Sequence, residues 1–284
     1  MVGGVPLKKK LSNLILVLIF LTGVSLLVYP TFSDWWNSLH QSRAIAAYVD
    51  QVNTLDDAQY ETMLEQADAY NQTLLGKEDR YNLSDSELET YNSLLDVTGT
   101  GIMGYVVIPK INVRLPIYHG KDPAVLEIAI GHIAGSSLPV GGESTHCVLS
   151  GHRGLPSAKL FTDIDQLKEG DQFMLEVLGD TLTYEVDQIK VVLPDELDDI
   201  EIEEGKDLCT LVTCTPYGVN THRLLVRGHR VETVQQNHVR VVSDAVQIEP
   251  VKVAIAAGIP LLVIIMLLRM IFAGKKHKKG SEQK

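Results

Sequence analysis

A thiol, an imidazole and a guanidinium stand in this chain at positions suited to acyl transfer. Cys214 closes the β-rich run Thr210-Leu211-Val212-Thr213 and precedes the turn signal Thr215-Pro216-Tyr217-Gly218. A thiol at the open end of a strand is accessible, and its thiolate is a strong nucleophile. A free cysteine has a pKa of about 8.5, so it needs a base or a cation beside it. His152 lies between glycines in Ser150-Gly151-His152-Arg153-Gly154, where the backbone can pass close to a ligand. Arg223 opens the run after the cysteine turn, and strand alternation puts Arg223, Leu225, Arg227 and His229 on one face. Taken singly, a histidine or arginine of this kind most often sits solvated or satisfied by one hydrogen bond. The other two of the three cysteines, Cys147 and Cys209, lie inside apolar runs and read as small buried side chains. No CxxC or HxxxH spacing accompanies them, so neither a metal nor a cofactor is expected.

These residues need a β scaffold. From residue 103 onward the chain breaks into short β-rich runs separated by Gly, Pro and Asp: 105–108, 113–117, 146–150, 172–178, 181–192, 208–213 and 223–231. Short helices are expected at 123–130 and 158–167. Strands at this spacing point to a closed barrel or a sandwich. Residues 31–100 read instead as helix and loop, with Ile45, Tyr48, Val49, Val52 and Leu55 at helical spacing, followed by Tyr60, Met63, Leu64 and Ala67. The polar stretch 76–86 interrupts that pattern.

The chain has 284 residues and a formal charge of −11, but the charge is unevenly placed. Residues 31–250 hold 15 Lys+Arg against 35 Asp+Glu, whereas the two ends are basic and apolar. The acidic middle argues against a nucleic-acid binder. Residues 11–29 form an uncharged run after Lys8-Lys9-Lys10, long enough to span a bilayer. The rival reading, a cleaved signal peptide, needs a small-residue site just after the run, where Tyr29-Pro30-Thr31-Phe32 stands; Ala44-Ile45-Ala46 lies too far downstream. A second run at 251–273 is closed by Lys275, Lys276, Lys278 and Lys279. Basic clusters stay cytoplasmic, so the expected topology is two-pass, with both termini inside and about 220 residues outside.

The combination of segments is far more specific than its parts. Thr210-Leu211-Val212-Thr213-Cys214 resembles the TLxTC signature of sortases, with Arg223 nine residues on. The run from Ser150-Gly151-His152-Arg153-Gly154 through Leu155-Pro156-Ser157-Ala158-Lys159-Leu160-Phe161 is similar to the histidine segment of class C, pilus-assembling sortases of Gram-positive bacteria. Thr213-Cys214-Thr215-Pro216-Tyr217-Gly218-Val219-Asn220-Thr221-His222-Arg223 resembles the same subclass, as do 104–119 and 138–146. The resemblance implies a mainly β fold, a closed eight-stranded barrel with short helices, an N-terminal helical extension and two transmembrane helices. It implies the organisation 1–10 basic tail, 11–30 span, 31–100 helical extension, 101–232 catalytic barrel, 233–250 linker, 251–273 span and 274–284 basic tail. It also implies Cys214 as nucleophile, His152 as general acid/base and Arg223 as oxyanion stabiliser, with Thr213 and Ser150 in supporting or substrate-binding roles. The partners implied are pilin subunits bearing an LPxTG-like sorting signal and an acceptor lysine. The alternatives are a housekeeping sortase that anchors proteins to the peptidoglycan precursor, and a non-catalytic membrane receptor or scaffold that kept the barrel.

Class C sortases carry a lid with an Asp-Pro-aromatic motif, whose aspartate faces the arginine and whose ring covers the cysteine. The match here is Asp79-Arg80-Tyr81, with arginine in place of proline, so Asp79 and Tyr81 are the expected lid residues. Without proline the segment should be looser than a typical lid. Asp34-Trp35-Trp36 offers stronger aromatics but lies only a few residues past the first span. The acids Asp198, Asp199, Glu201, Glu203 and Glu204 read as a solvated loop, with a calcium site as the sharper alternative.

Overall fold

The computed structural model describes residues 7–77, 79–120 and 123–233. Helix α1 (Leu7–Val52) carries the first apolar run. Within it, Ile15–Val52 holds an 18-residue window of mean hydropathy 2.3, none of it buried, which is long and apolar enough to cross a bilayer. The second apolar run, the linker before it and the basic tail after it lie outside the described residues.

Val28–Val234 forms one compact unit. Its α1 residues dock through Tyr48, whose buried hydroxyl donates to the Met103 carbonyl at 3.1 Å and accepts from the Leu178 amide at 2.8 Å. Helix α2 (Asp57–Leu74) starts at Asp56, which shares a reciprocal capping box with Gln59. Asn71 on α2 clasps both backbone groups of Leu138, at 2.7 and 3.2 Å. Helix α3 (Asp85–Ser93) has the same device in Ser84 and Glu87. It begins at the end of the polar stretch 76–86, where Ser84-x-x-Glu87 is a capping-box signature.

Eight strands close into a barrel in the order β1-β2-β3-β4-β7-β8-β6-β5. They are β1 (Ile102–Ile108), β2 (Val113–His119), β3 (Ile130–His132), β4 (Thr145–Ser150), β5 (Gln172–Val177), β6 (Asp180–Val192), β7 (Asp207–Thr215) and β8 (His222–Val231). Seven match the expected runs, and β3 is the addition. The helix expected at 123–130 is only Pro123–Leu126 (α4), because Ile130 enters β3. The helix expected at 158–167 reduces to one 3-10 turn at Ile164–Gln166, since Leu160 takes a positive φ of 39° that interrupts any helix.

Alternation divides the apolar residues between two faces. Val106, Ile117, Leu149, Leu175, Leu211 and Val226 fill the barrel interior. On the other face of β4, β7 and β8 a second cluster forms from Val148, Val212, Leu225, Val192 and Ile200, with Tyr81 and Ile133 packed against it. Two parallel pairings, β2 with β3 and β4 with β7, sit among otherwise antiparallel neighbours. The β4–β7 pairing brings distant segments of the chain side by side.

Candidate active site

The sulfur and the guanidinium are placed by one hairpin. β7 and β8 are antiparallel, and Cys214 is the direct register partner of Arg223. Residues directly opposite each other share a face, so both side chains project with Val212 and Leu225 onto the outer cluster. Both are partly exposed, while Cys147 and Cys209 are buried register partners across β4 and β7. The hairpin connection holds a cis Thr215–Pro216 bond and Gly218 at a φ of 74°.

The imidazole arrives from β4. Ser150 pairs with Val212 in the parallel ladder, and the Gly151 amide donates to the Val212 carbonyl at 3.0 Å. The Thr213 hydroxyl, itself buried, donates to the Gly151 carbonyl at 2.7 Å. Gly151 is thus bonded on both sides to the strand that ends in Cys214, and His152 is the next residue. Space is short there, because a Cβ on Gly151 would meet Phe161 at 2.7 Å and Ile130 at 2.8 Å. Beyond His152, the Arg153 guanidinium lies 5.8 Å from the Tyr217 ring centroid and also pairs with Asp165, packing the histidine loop against the cysteine turn. The structure therefore brings His152, Cys214, Arg223, Thr213 and Ser150 to the wall of one cavity of about 1100 Å³. Arg223 spends one nitrogen on the carbonyls of His222 (3.0 Å) and Asn220 (3.3 Å), and no ion pair engages it among the described residues. His152 and Cys214 make no side-chain hydrogen bond among the described residues, which leaves both open toward the cavity.

One side of the cavity is mainly apolar, interrupted by Asp195 and Glu196. Leu193, Pro194, Leu197 and Ile200, from the connection between β6 and β7, form a wall that sequence reasoning missed. The run Val191-Val192-Leu193-Pro194, apolar past the end of a strand, was its only signal. Leu83, Leu88 and Leu126 line the cavity as well.

Tyr81 lines the same cavity, but Asp79 does not. Asp79 is exposed, with a positive φ of 53°, and its carboxylate accepts from the Asn82 amide at 3.2 Å. Among the described residues no ion pair joins it to Arg223, unlike the pattern the lid resemblance implies. The expectation of a loose segment meets a different geometry. Arg80 is 4% exposed and ties the tripeptide to Ile200 and Glu201. Burial raises the Tyr81 pKa, although the neighbouring Arg80 pulls the other way. Neither Trp35 nor Trp36 lines the cavity; Asp34 accepts from the Lys159 amide at 2.9 Å.

The acidic loop is largely matched by cations. Asp199 pairs with Lys190, Glu201 with Arg80, and Glu203 with both Lys206 and Arg227. No three metal-ligating side chains converge among the described residues.

A sortase-domain family model matches residues 106–231. Sortase C1 from Streptococcus agalactiae is 53% identical, with 99% of its chain covered, 67% of this one and a TM-score of 0.66. The chain belongs to the sortase family. Sortases are cysteine transpeptidases, and the structural neighbours of this sortase are of class C. Sortase C from Clostridium perfringens, solved with the C-terminal cell wall sorting motif, is 44% identical over 68% of this chain and all of its own, with a TM-score of 0.58. Sortase D of Bacillus subtilis is 36% identical over 131 residues; that match spans 45% of this sortase and 63% of its relative.

Proposed function

We propose that this sortase polymerises pilin subunits, with Cys214, His152 and Arg223 as its catalytic residues. The observation that carries the reading is the pairing of Cys214 with Arg223 across β7 and β8, with Gly151-His152 bonded to the same strand. The Cys214 thiolate attacks the Thr–Gly carbonyl of an LPxTG-like sorting signal. Negative charge develops on the carbonyl oxygen, where the permanent cation of Arg223 stabilises it. The C–N bond breaks as His152 protonates the departing glycine amine, leaving a thioester on Cys214. A lysine ε-amine of the next pilin then attacks the thioester, His152 takes up its proton, and the Cys214 thiolate leaves as the isopeptide bond forms. The apolar wall at Leu193, Leu197 and Ile200 suits the leucine and proline of the signal.

The apolar part of α1 supports a membrane anchor, with the barrel on the outer face of the cell. The lysine-closed run at 251–273 supplies the return span and puts both termini in the cytoplasm. Tyr81 acts as a lid over the site, and Asp79, facing solvent, contributes little to it.

Incubation of the full chain with a sorting-signal peptide should give a protein heavier by the acyl fragment, and Cys214→Ala should abolish that adduct. Adding a pilin with its acceptor lysine should release the acyl fragment as an isopeptide-linked pilin–peptide conjugate and restore the free enzyme. A Cys214→Ala enzyme that still builds pilin ladders would overturn the catalytic assignment. Release by peptidoglycan-type amines but not by pilin would favour the wall-anchoring alternative.

A further inference from the structure

Arg80 is where the lid tripeptide departs from its family pattern, and it is also the most heavily used side chain of that segment. One of its terminal nitrogens donates to the Ile200 carbonyl at 2.8 Å and lies 2.9 Å from the Tyr81 hydroxyl. The other pairs with the Glu201 carboxylate at 3.0 Å. The guanidinium stands 4.8 Å from the Tyr81 ring centroid. Its backbone is held as tightly: Gly135, at a φ of 92°, approaches so closely that a Cβ there would lie 2.2 Å from the Arg80 carbonyl oxygen. Among the described residues, the long-range hydrogen bond and ion pair of the Arg80 side chain fall on Ile200-Glu201, the far end of the β6–β7 connection that walls the cavity. There the Tyr81 hydroxyl adds a longer bond of 3.3 Å to the Ile200 carbonyl. That end is gripped from the barrel side too, because His146 on β4 donates to the Glu201 carbonyl at 2.7 Å.

A flexible connection gains a fixed shape only where buried partners hold its backbone carbonyls. Of the other cations that reach this connection, Lys190 and Lys206 are about half exposed, and such pairs contribute little. The more buried Arg227 meets the connection only at the Glu203 carboxylate and bonds none of its backbone carbonyls among the described residues. Arg80 is buried and bonds a backbone carbonyl directly. We propose that Arg80 is a positioning residue for the substrate groove: it holds the β6–β7 wall in the form that receives the sorting peptide. The inference rests on the sortase reading above and makes one tripeptide do two opposed things. Tyr81 covers the site, whereas Arg80 builds it.

The two roles predict opposite kinetic signs from adjacent residues. In the full chain, Tyr81→Ala uncovers the cavity, so labelling of Cys214 by a small thiol reagent speeds up and acylation kcat/KM rises. Arg80→Ala leaves kcat within about twofold but raises KM for the peptide about tenfold, the scale of one lost charge-assisted hydrogen bond. Arg80→Lys keeps the charge toward Glu201 but lacks the fork, and should recover part of the KM loss. Glu201→Gln, which keeps the Ile200 bond, should raise KM less than Arg80→Ala does. Hydrogen–deuterium exchange over residues 193–201 provides a readout independent of catalysis and should quicken in Arg80→Ala. If Arg80→Ala instead mirrors Tyr81→Ala, with KM unchanged and kcat/KM raised, the positioning role is wrong. Faster exchange without a KM change would overturn it as well. A wild-type enzyme that forms no acyl adduct would overturn the sortase reading itself, and the exchange arm would still report whether Arg80 holds the wall.

Discussion

His146 should make the stability of this fold depend on pH over a definable window. The ring is buried on β4, donating from Nδ1 to the Glu201 carbonyl and accepting at Nε2 from the Thr210 hydroxyl, both at 2.7 Å. A neutral imidazole satisfies both bonds. Burial is the largest influence and holds its pKa down from 6.5 to about 4, with Arg227 and Arg80 pushing the same way and the Glu201 bond opposing. In the unfolded chain the ring titrates near its ordinary value. Below about pH 6.5 the unfolded chain therefore takes up a proton that the folded protein refuses until about pH 4. The stability due to neutral His146 is complete above that window and is lost as pH falls through it. Integrated, the loss is on the order of 3 kcal/mol, of which about 2 kcal/mol has accrued by pH 5. For a unit of this size that lowers Tm by roughly 4–8 °C. The assay is thermal unfolding of the full chain in detergent at about pH 7.5 and about pH 5, for wild type and His146→Gln. The glutamine amide can serve both hydrogen bonds but does not titrate, and the remaining histidines and carboxylates act alike in both proteins. Wild type should lose the additional 4–8 °C or so relative to the variant. Equal losses would refute the assignment of the pH dependence to His146.

Gly151→Ala should lower stability by about 1–3 kcal/mol, because the new methyl overlaps the buried Phe161 and Ile130. It should also slow acylation by displacing the adjacent His152; an unchanged Tm with an unchanged acylation rate would show that the loop has room to spare. The chain has two tryptophans, Trp35 and Trp36, both exposed on α1 just after its apolar run. In vesicles, headgroup-proximal bromines on lipid chains should quench their fluorescence more than deep ones, as residues of an interfacial belt require; absence of quenching at every depth would remove them from the membrane surface.

What could be read from the chain followed how locally each feature is determined. Cys214 and Arg223 belong to one hairpin, so the turn signal at 215–218 sets them on consecutive strands, while their shared face follows only from the register. His152 was different, because a parallel pairing of β4 with β7 leaves no mark in either strand, and only the resemblance put it beside the cysteine. β3 has three residues and no period to detect. Arg80 is the instructive miss. An arginine in a polar stretch reads as solvated, and nothing nearby in sequence announces Gly135, Ile200 or Glu201 as its partners. On backbone freedom alone, the loss of proline makes the segment looser. Proline restrains φ through its own ring, wherever the rest of the chain lies. Arginine restrains the same backbone through contacts with the β6–β7 connection, so its rigidity is conditional on the shape of that connection. The cover and the groove wall are therefore coupled here through the Arg80 guanidinium in addition to the direct bond of the Tyr81 hydroxyl to the Ile200 carbonyl, a second tie that proline could not supply.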